Sequence, residues 1–309
     1  MGRDPIVEDP RIAILEPDHP YIAPPSRERT LKERLFKAGM LFCLSAGLIV
    51  LAVLLYDVVH EGFSTLFRGG FFTDPASSVA SDSGIYPALV GTLYLMVVCL
   101  AFIVPVGVAT AIYLEEYADR DRWYNRFIEL NIQNLAAVPS IIYGILGLAF
   151  LVRGPLGMGR VVMAGGLTLG LLVLPVVIIA GREAIRAVPP SIREGSMALG
   201  ATQWQTIWKQ VLPAAVPGIA TGTILALSRA IGETAPLIML GAFAFATDPA
   251  SGFFSEFSAL PLQIFSWISN AQQDEFAPLA AAGIIVLMAV LLLMNGIAIW
   301  LRNRYQQKW

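Results

Sequence analysis

Residues 214–244 read AAVPGIATGTILALSRAIGETAPLIMLGAFA, and this long apolar stretch sets the class of fold. A helix needs roughly 20 mostly apolar residues to cross a hydrocarbon core of about 30 Å, and the stretch is long enough to do so. It also contains Arg229 and Glu233, although an arginine near the middle of a membrane helix costs about 3 kcal/mol on translocon scales. The i, i+4 spacing puts both charges on one helical face, where each partly neutralises the other.

The composition of the whole chain agrees with a membrane protein. Of its 309 residues, 56% are hydrophobic and 14% are charged, and the mean hydropathy is +0.66. This much apolar surface excludes a soluble globular protein of the same length. Six stretches have the length and hydropathy of a membrane span: 36–56, 86–114, 131–152, 160–181, 214–244 and 277–301. Because the runs are continuous rather than alternating, the predicted fold class is all-α, a polytopic helical bundle with six transmembrane helices.

The distribution of charge predicts the orientation. Lys and Arg near span ends are retained on the cytoplasmic side. With both termini placed inside, 17 of the 21 Lys and Arg residues fall on that side, so the predicted topology is N-in and C-in. The predicted domains are a flexible cytoplasmic N-terminal tail (1–35), a transmembrane domain (36–304) that includes a cytoplasmic hairpin (182–213), and a C-terminal tail (305–309).

The segment between the fourth and fifth predicted spans has the pattern of a helical hairpin. Two pairs have the spacing of a reciprocal capping box, Ser191 with Glu194 and Thr202 with Gln205. Gly200 stands between them, where a glycine in the left-handed conformation ends a helix, and we expect the second helix to end near Pro213. The apolar residues of the hairpin indicate either a surface for a soluble partner or an interfacial position against lipid headgroups.

Four stretches carry a resemblance to ABC-transporter permeases. Glu194, Gly200 and Leu212-Pro213 keep the spacing of the EAA loop of that family, with departures at Gly195, Ser196 and Gln210. Residues 131–144 (NIQNLAAVPSIIYG), 229–237 (RAIGETAPL) and 84–92 (GIYPALVGT) resemble phosphate-importer permeases of the PstA type. The PstC type usually has methionine after Gly-Glu-Thr, whereas this chain has Ala235 and Pro236 there.

The resemblance implies a type I ABC permease fold in a bacterial inner membrane and a role in phosphate import. The implied partners are a second permease of the PstC type, a PstB-type ATPase homodimer, a PstS-type external phosphate-binding protein and membrane lipids, with no nucleic acid. ATP and Mg would bind to the ATPase, because this chain has no phosphate loop of the Gly-x-x-x-x-Gly-Lys-Ser/Thr kind. No enzymatic activity, cofactor, catalytic residue or metal site is therefore expected on the chain itself.

Two other functions remain open from the sequence. Within transport, the chain could be the PstC-type permease or a permease for another oxyanion such as sulfate or molybdate. A different class is a non-transporting membrane scaffold or sensor whose hairpin recruits a cytoplasmic protein.

The resemblance also assigns candidate residues. The hairpin residues implied in ATPase coupling are Glu194, Ala198, Leu199 and Gly200. The candidates for the substrate path are Arg229, Glu233, Thr234, Ser140 and Asn134. A guanidinium group matches two phosphate oxygens with parallel charge-assisted bonds, and Pro236 is expected to open the helix beside the pair.

Each candidate has a structural alternative. Arg229 and Glu233 would look the same as an ion pair that only fixes helix packing. Glu194 serves as a helix cap in one interpretation and contacts the ATPase in the other. The polar residues of the third span are also explained by close helix packing. The run from Glu115 to Asp119 is most simply a solvated loop.

Overall fold

The computed structural model describes residues 27–305 apart from 120 and 243–247, and it is all-α. The helices are α1 (Arg27–Leu66), α2 (Tyr86–Ile112), α3 (Trp123–Leu135), α4 (Ser140–Gly147), α5 (Val162–Arg186), α6 (Pro190–Ala198), α7 (Gln203–Thr206), α8 (Leu212–Gly232), α9 (Ala235–Leu240), α10 (Leu260–Ile268) and α11 (Gln273–Tyr305). Wider π-turns extend α2 (Tyr113–Tyr117) and α4 (Leu148–Val152) and connect α7 to α8 (Ile207–Val211). Over these residues the only β-type pairing is one isolated bridge between Val161 and Glu256.

The chain divides into two compact units, residues 1–57 and 58–309. The described part of the first unit is the N-terminal portion of α1, whose apolar side chains are exposed. α1 begins at Arg27, within the range 1–35 predicted as the N-terminal tail; residues 1–26 and 306–309 lie outside the described part of the chain. The second unit holds the remainder of α1 and all other helices.

Among the described residues, five single helices have the length and hydropathy of a membrane span, and α3 with α4 makes a sixth if the bent pair counts as one. The span predicted over 131–152 consists of two helices, because α3 and α4 meet at 105°. Pro139 precedes α4; a proline lacks the amide hydrogen of a helix interior and disfavours helical backbone at the residue before it. The N-in, C-in orientation stays a prediction.

The fifth predicted span begins earlier and ends sooner than 214–244. The helix runs without interruption from Gln203 to Gly232, so the expected stop near Pro213 was wrong. Pro213 lies directly after the π-turn Ile207–Val211, near the start of α8, and the helix continues through it. Residues 243 and 244 lie outside the described part of the chain.

Small residues bring α2, α5 and α8 together into the core of the second unit. A Cβ added to Gly107 of α2 would lie 2.7 Å from Val177 of α5. A Cβ added to Gly222 of α8 would lie 2.2 Å from Ala180 of α5. Close approach of backbones at small residues is how helices associate where lipid removes the hydrophobic driving force. These contacts make α5 the central helix between α2 and α8.

Candidate functional site

The predicted hairpin is present and is formed by α6, a glycine turn and α7. Gly200 has a φ of +86°, so it adopts the left-handed conformation expected for the stop. The capping box at Thr202 is confirmed: its hydroxyl accepts from the Gln205 amide at 3.3 Å, and its own amide donates to Gln205 Oε1 at 2.9 Å. The turn of the hairpin and the start of its second arm therefore lie where the local sequence predicts.

The other predicted cap was wrong. Pro189, not Ser191, is the residue before the first turn of α6, and no side chain caps this end. Pro190 occupies the first helical position, where its fixed φ favours the helix and its missing amide hydrogen costs nothing. The helix thus starts before Ser191, and Glu194 is not a capping residue.

The hairpin tip is exposed. All four residues implied in coupling, Glu194, Ala198, Leu199 and Gly200, are exposed, and Leu199 is 91% exposed. On the second arm, Trp204 and Trp208 stack with ring centroids 5.6 Å apart and an interplanar angle of 15°. Exposed apolar patches of this kind mark contact surfaces. Their role in ATPase coupling stays a prediction.

A hydroxyl pair fastens the two arms of the hairpin to each other. Ser196 Oγ in α6 and Thr206 Oγ1 in α7 are 2.9 Å apart, and Thr206 is buried. The serine that departs from the EAA-loop alanine therefore has a local function. It holds the first arm against the beginning of the long helix that leads to α8.

The charged pair of residues 229 and 233 lies at a break between α8 and α9. α8 ends at Gly232, and Glu233 has an extended backbone with φ −79° and ψ 113°. Arg229 Nε donates to Glu233 Oε1 at 3.3 Å, so the predicted pairing and the predicted helix opening are both present. Within the described residues Arg229 hydrogen-bonds only to Glu233, and its side chain is 43% exposed. The two terminal nitrogens of the guanidinium group are thus available to an anion.

α4 packs against α9 beside this break. A Cβ added to Gly144 would lie 2.6 Å from the Cα of Pro236, so only a glycine permits the contact. The neighbouring Tyr143 lies within electrostatic reach of Arg229. The bend before α4 and the break before α9 therefore lie close together.

The other substrate-path candidates differ in where they lie and in how far they are buried. Ser140 is the first residue of α4 and Thr234 precedes α9, and both are partly buried near the break. Asn134 lies in the last turn of α3, across the 105° bend, and is exposed. Thr234 directly follows Glu233, whereas among the described residues no hydrogen bond or ion pair joins Ser140 or Asn134 to the charged pair. Contact of any of them with substrate stays a prediction.

Tyr143 holds the bend between α3 and α4. Its hydroxyl donates to the Leu135 carbonyl at 2.9 Å, at the end of α3 where helix carbonyls lack partners.

We expect Tyr143→Phe to lower the free energy of unfolding by about 1 kcal/mol, because a part-buried carbonyl loses its donor. Thermal unfolding of the purified protein in detergent measures the change. Tyr117→Phe is the control, because Tyr117 makes no hydrogen bond with its hydroxyl in the described part of the chain; equal stability of both variants would contradict the role of Tyr143.

A charged cluster at the hairpin end of the bundle was missed by the sequence analysis. Arg182, only 8% exposed, donates through Nε to Glu115 Oε1 at 3.0 Å and through Nη2 to Glu129 Oε1 at 2.8 Å. Arg186 Nη2 donates to the same Glu115 oxygen at 2.7 Å. The Glu115 side chain is 3% exposed, so the predicted solvated loop at 115–119 was wrong for this residue and for its neighbour Glu116, which is 9% exposed.

The reason for the miss is the distance along the chain. Glu115 and Arg182 are 67 residues apart, and no local pattern joins them. The one available signal was the i, i+4 pair of arginines, 182 and 186, at the end of a span directly before the hairpin. Removing one partner of a buried ion pair typically costs about 3–5 kcal/mol, because the other charge is left buried without compensation.

The architecture is that of the membrane subunits of ABC importers. The chain resembles a chain of the bacterial alginate ABC transporter in complex with its alginate pentasaccharide-bound periplasmic protein, with a TM-score of 0.62 and 19% identity. The match covers 90% of this chain and 96% of that one. At this identity the likeness shows the fold, and it confirms the type I permease class predicted from the sequence.

Sequence comparison identifies the particular family. Residues 103–307 match the family of binding-protein-dependent transport system inner membrane components, and the chain belongs to that family. It is 33% identical over 282 residues to the phosphate transport system permease protein PstA 1 of Mycobacterium tuberculosis, with 90% of each chain covered. It is 30% identical over 231 residues to the phosphate transport system permease protein PstC of Pasteurella multocida, with 65% of this chain and 71% of that one covered. The predicted resemblance to PstA-type permeases is confirmed, and the chain is a multi-pass permease subunit of an importer in a bacterial inner membrane.

Proposed function

We propose that this chain is the PstA-type permease of a phosphate importer and forms half of the translocation path with a second, PstC-type permease. The observation that carries the proposal is Arg229 at the helix break, with the terminal nitrogens of its guanidinium group unpaired within the described part of the chain. Phosphate carries between one and two negative charges near pH 7 and accepts paired hydrogen bonds from such a group. The relatives named as phosphate permeases support this choice of anion.

Glu233 sets the geometry of the arginine. Its carboxylate accepts from Nε, the edge of the guanidinium group that phosphate does not need, and this contact lowers the cost of the charge when the site is empty. Broken helices with charged side chains are typical of substrate sites at membrane depth. Glu233 thus holds Arg229 in place and leaves the edge of the guanidinium group with its two terminal nitrogens for the substrate.

The segment after the pair favours the PstA type over the PstC type. Ala235 begins α9 and Pro236 lies in its first turn, where the missing amide hydrogen costs nothing. Pro236 also packs on Gly144 of the PstA-like third-span segment. Two of the stretches that carry the resemblance, 131–144 and 229–237, therefore contact each other.

The remaining partners belong to the proposal. The exposed hairpin tip would dock on a PstB-type ATPase homodimer, which would bind ATP and Mg, and a PstS-type protein would deliver phosphate from outside. Exposure of all four coupling candidates supports this assignment. The chain itself would hydrolyse nothing.

Reconstitution tests the proposal. The purified complex of both permeases, the ATPase and the binding protein is placed in liposomes, and uptake of labelled phosphate, sulfate and molybdate is compared. We expect ATP-dependent uptake of phosphate at least about tenfold above that of the other anions, because specificity is a difference in binding free energies. Preferred uptake of sulfate or molybdate would contradict the assignment of phosphate. A complex that contains the ATPase but moves no anion would support the scaffold alternative.

A further inference from the structure

Arg193 of the hairpin connects three parts of the protein. Its Nε and Nη2 atoms donate to Glu116 Oε1 at 3.0 and 2.8 Å. The same guanidinium group donates to the Val188 carbonyl at 2.7 Å and to the Ile185 carbonyl at 2.8 Å. One side chain of α6 is thereby fixed both to the π-turn after α2 and to the end of α5.

The second arm of the hairpin holds the same glutamate. Gln203, the first residue of α7, donates through Nε2 to the Glu116 backbone carbonyl at 2.6 Å. Glu116 is therefore held by its side chain from the first arm and by its backbone from the second. A π-turn carries it, and wide turns of this kind occur frequently at functional sites.

The first arm has few other contacts with the bundle. No residue of α6 is buried, and Ile192 is only partly buried against the apolar cluster around Ala111 and Ile185. Beside Glu116, the Glu115 carboxylate is bound by two arginines of α5. A displacement of α6 therefore reaches α2 and α5 mainly through charged side chains whose positions are determined by several hydrogen bonds each.

We propose that the Glu116–Arg193 pair transmits movement of the hairpin to α2 and α5. The second arm continues directly as α8 towards Arg229, so with the pair intact the hairpin, α2, α5 and α8 move as one body. Glu116 and Arg193 are thus positioning residues: they touch no substrate and determine which helices follow the hairpin. The inference depends on the proposed function, since it assumes that an ATPase moves the hairpin.

Glu116→Ala in the complete reconstituted complex tests the inference. The measured quantity is the number of phosphate ions transported per ATP hydrolysed. We expect this ratio to fall about fivefold or more while ATP hydrolysis continues, because the variant loses the free energy that couples the hairpin to α2 and α5. A purely structural role would lower the yield of complex and leave the ratio of the assembled fraction unchanged.

Two further variants make the test specific. Glu183→Ala is the matched control, because Glu183 pairs with Arg186 within α5, is 64% exposed and joins no separate elements, so its ratio should equal that of the wild type. The exchange of charges in Glu116→Arg with Arg193→Glu restores the pair, and we expect it to recover part of the ratio. Glu116→Gln, which keeps the shape of the side chain, replaces Glu116→Ala if the latter does not assemble.

The outcomes separate this inference from the proposed function. A wild-type ratio in Glu116→Ala or Glu116→Gln would overturn the inference, as would an equal loss in Glu183→Ala. A wild-type complex that transports no phosphate would instead refute the proposed function. If that complex transports another oxyanion, the same ratio is measured with that anion.

Discussion

Arg229→Lys is expected to reduce phosphate uptake by roughly tenfold to a hundredfold, because hydrogen bonds to charged groups each contribute about 1.5–3 kcal/mol and the lysine loses the planar fork. The substitution keeps the positive charge beside Glu233. If Arg229 only neutralises this carboxylate, uptake should therefore stay nearly normal. Uptake by the reconstituted complex and the yield of assembled complex are measured together. A large loss with normal assembly indicates contact with the substrate.

Arg302→Lys provides the control for this result. Arg302 of α11 donates to Thr221 Oγ1 of α8 at 3.0 Å, so the same substitution is made at another arginine that touches the same helix. Since Thr221 lies about three turns before the break, uptake should stay close to the wild-type value. Normal uptake by Arg229→Lys would show that the Arg229–Glu233 pair is structural and would remove the main support for the proposed substrate site.

Gly200→Val is expected to reduce both phosphate uptake and the ATP hydrolysis that depends on the binding protein to background levels. The φ of +86° at this residue is strongly disfavoured for a β-branched side chain, and such strain costs about 1–3 kcal/mol. The turn between α6 and α7 must change in response, which displaces the exposed Leu199 beside it. Membrane insertion should be unaffected, because the turn lies outside the apolar spans.

Two further substitutions test whether the backbone conformation at Gly200 causes the loss. Gly195→Ala lies in the same hairpin, where an added Cβ meets nothing within 4 Å and the backbone is helical, so uptake should be normal. Gly200→Asn should retain part of the activity, because asparagine accepts the left-handed conformation more readily than valine. If Gly200→Val transports phosphate normally, the hairpin does not couple the permease to the ATPase.

The sequence analysis was most successful where local patterns decide the structure. Hydropathy located the apolar spans, the glycine at 200 marked the hairpin turn, and the proline at 236 marked the opening of the fifth span. It failed at Ser191, where two adjacent prolines overrode the capping pattern, and at Pro213, which stands in the first turn of α8. At Ser191 the two prolines determined where the helix begins, and at Pro213 the helix continues through the proline instead of ending there.

The candidate site likewise has a part that local sequence predicts and a part that depends on tertiary packing. The pairing of Arg229 with Glu233 was predictable because four residues separate them, and their place in an apolar stretch made them conspicuous. The packing of Gly144 on Pro236 was not predictable, since it joins segments far apart along the chain. Only the folded chain shows that the bend before α4 lies next to the charged pair.

Membrane class, helical fold, hairpin and family were accessible from the amino-acid sequence because each depends on local hydropathy, turn chemistry or motif spacing. The tertiary structure alone decided that Glu115 and Glu116 are held by arginines more than 65 residues away, although the sequence made them look like part of a solvated loop. The physical reason is that a carboxylate at a helix end is equally compatible with water and with a guanidinium group. Which of the two it meets depends on how α2, α5 and the hairpin pack.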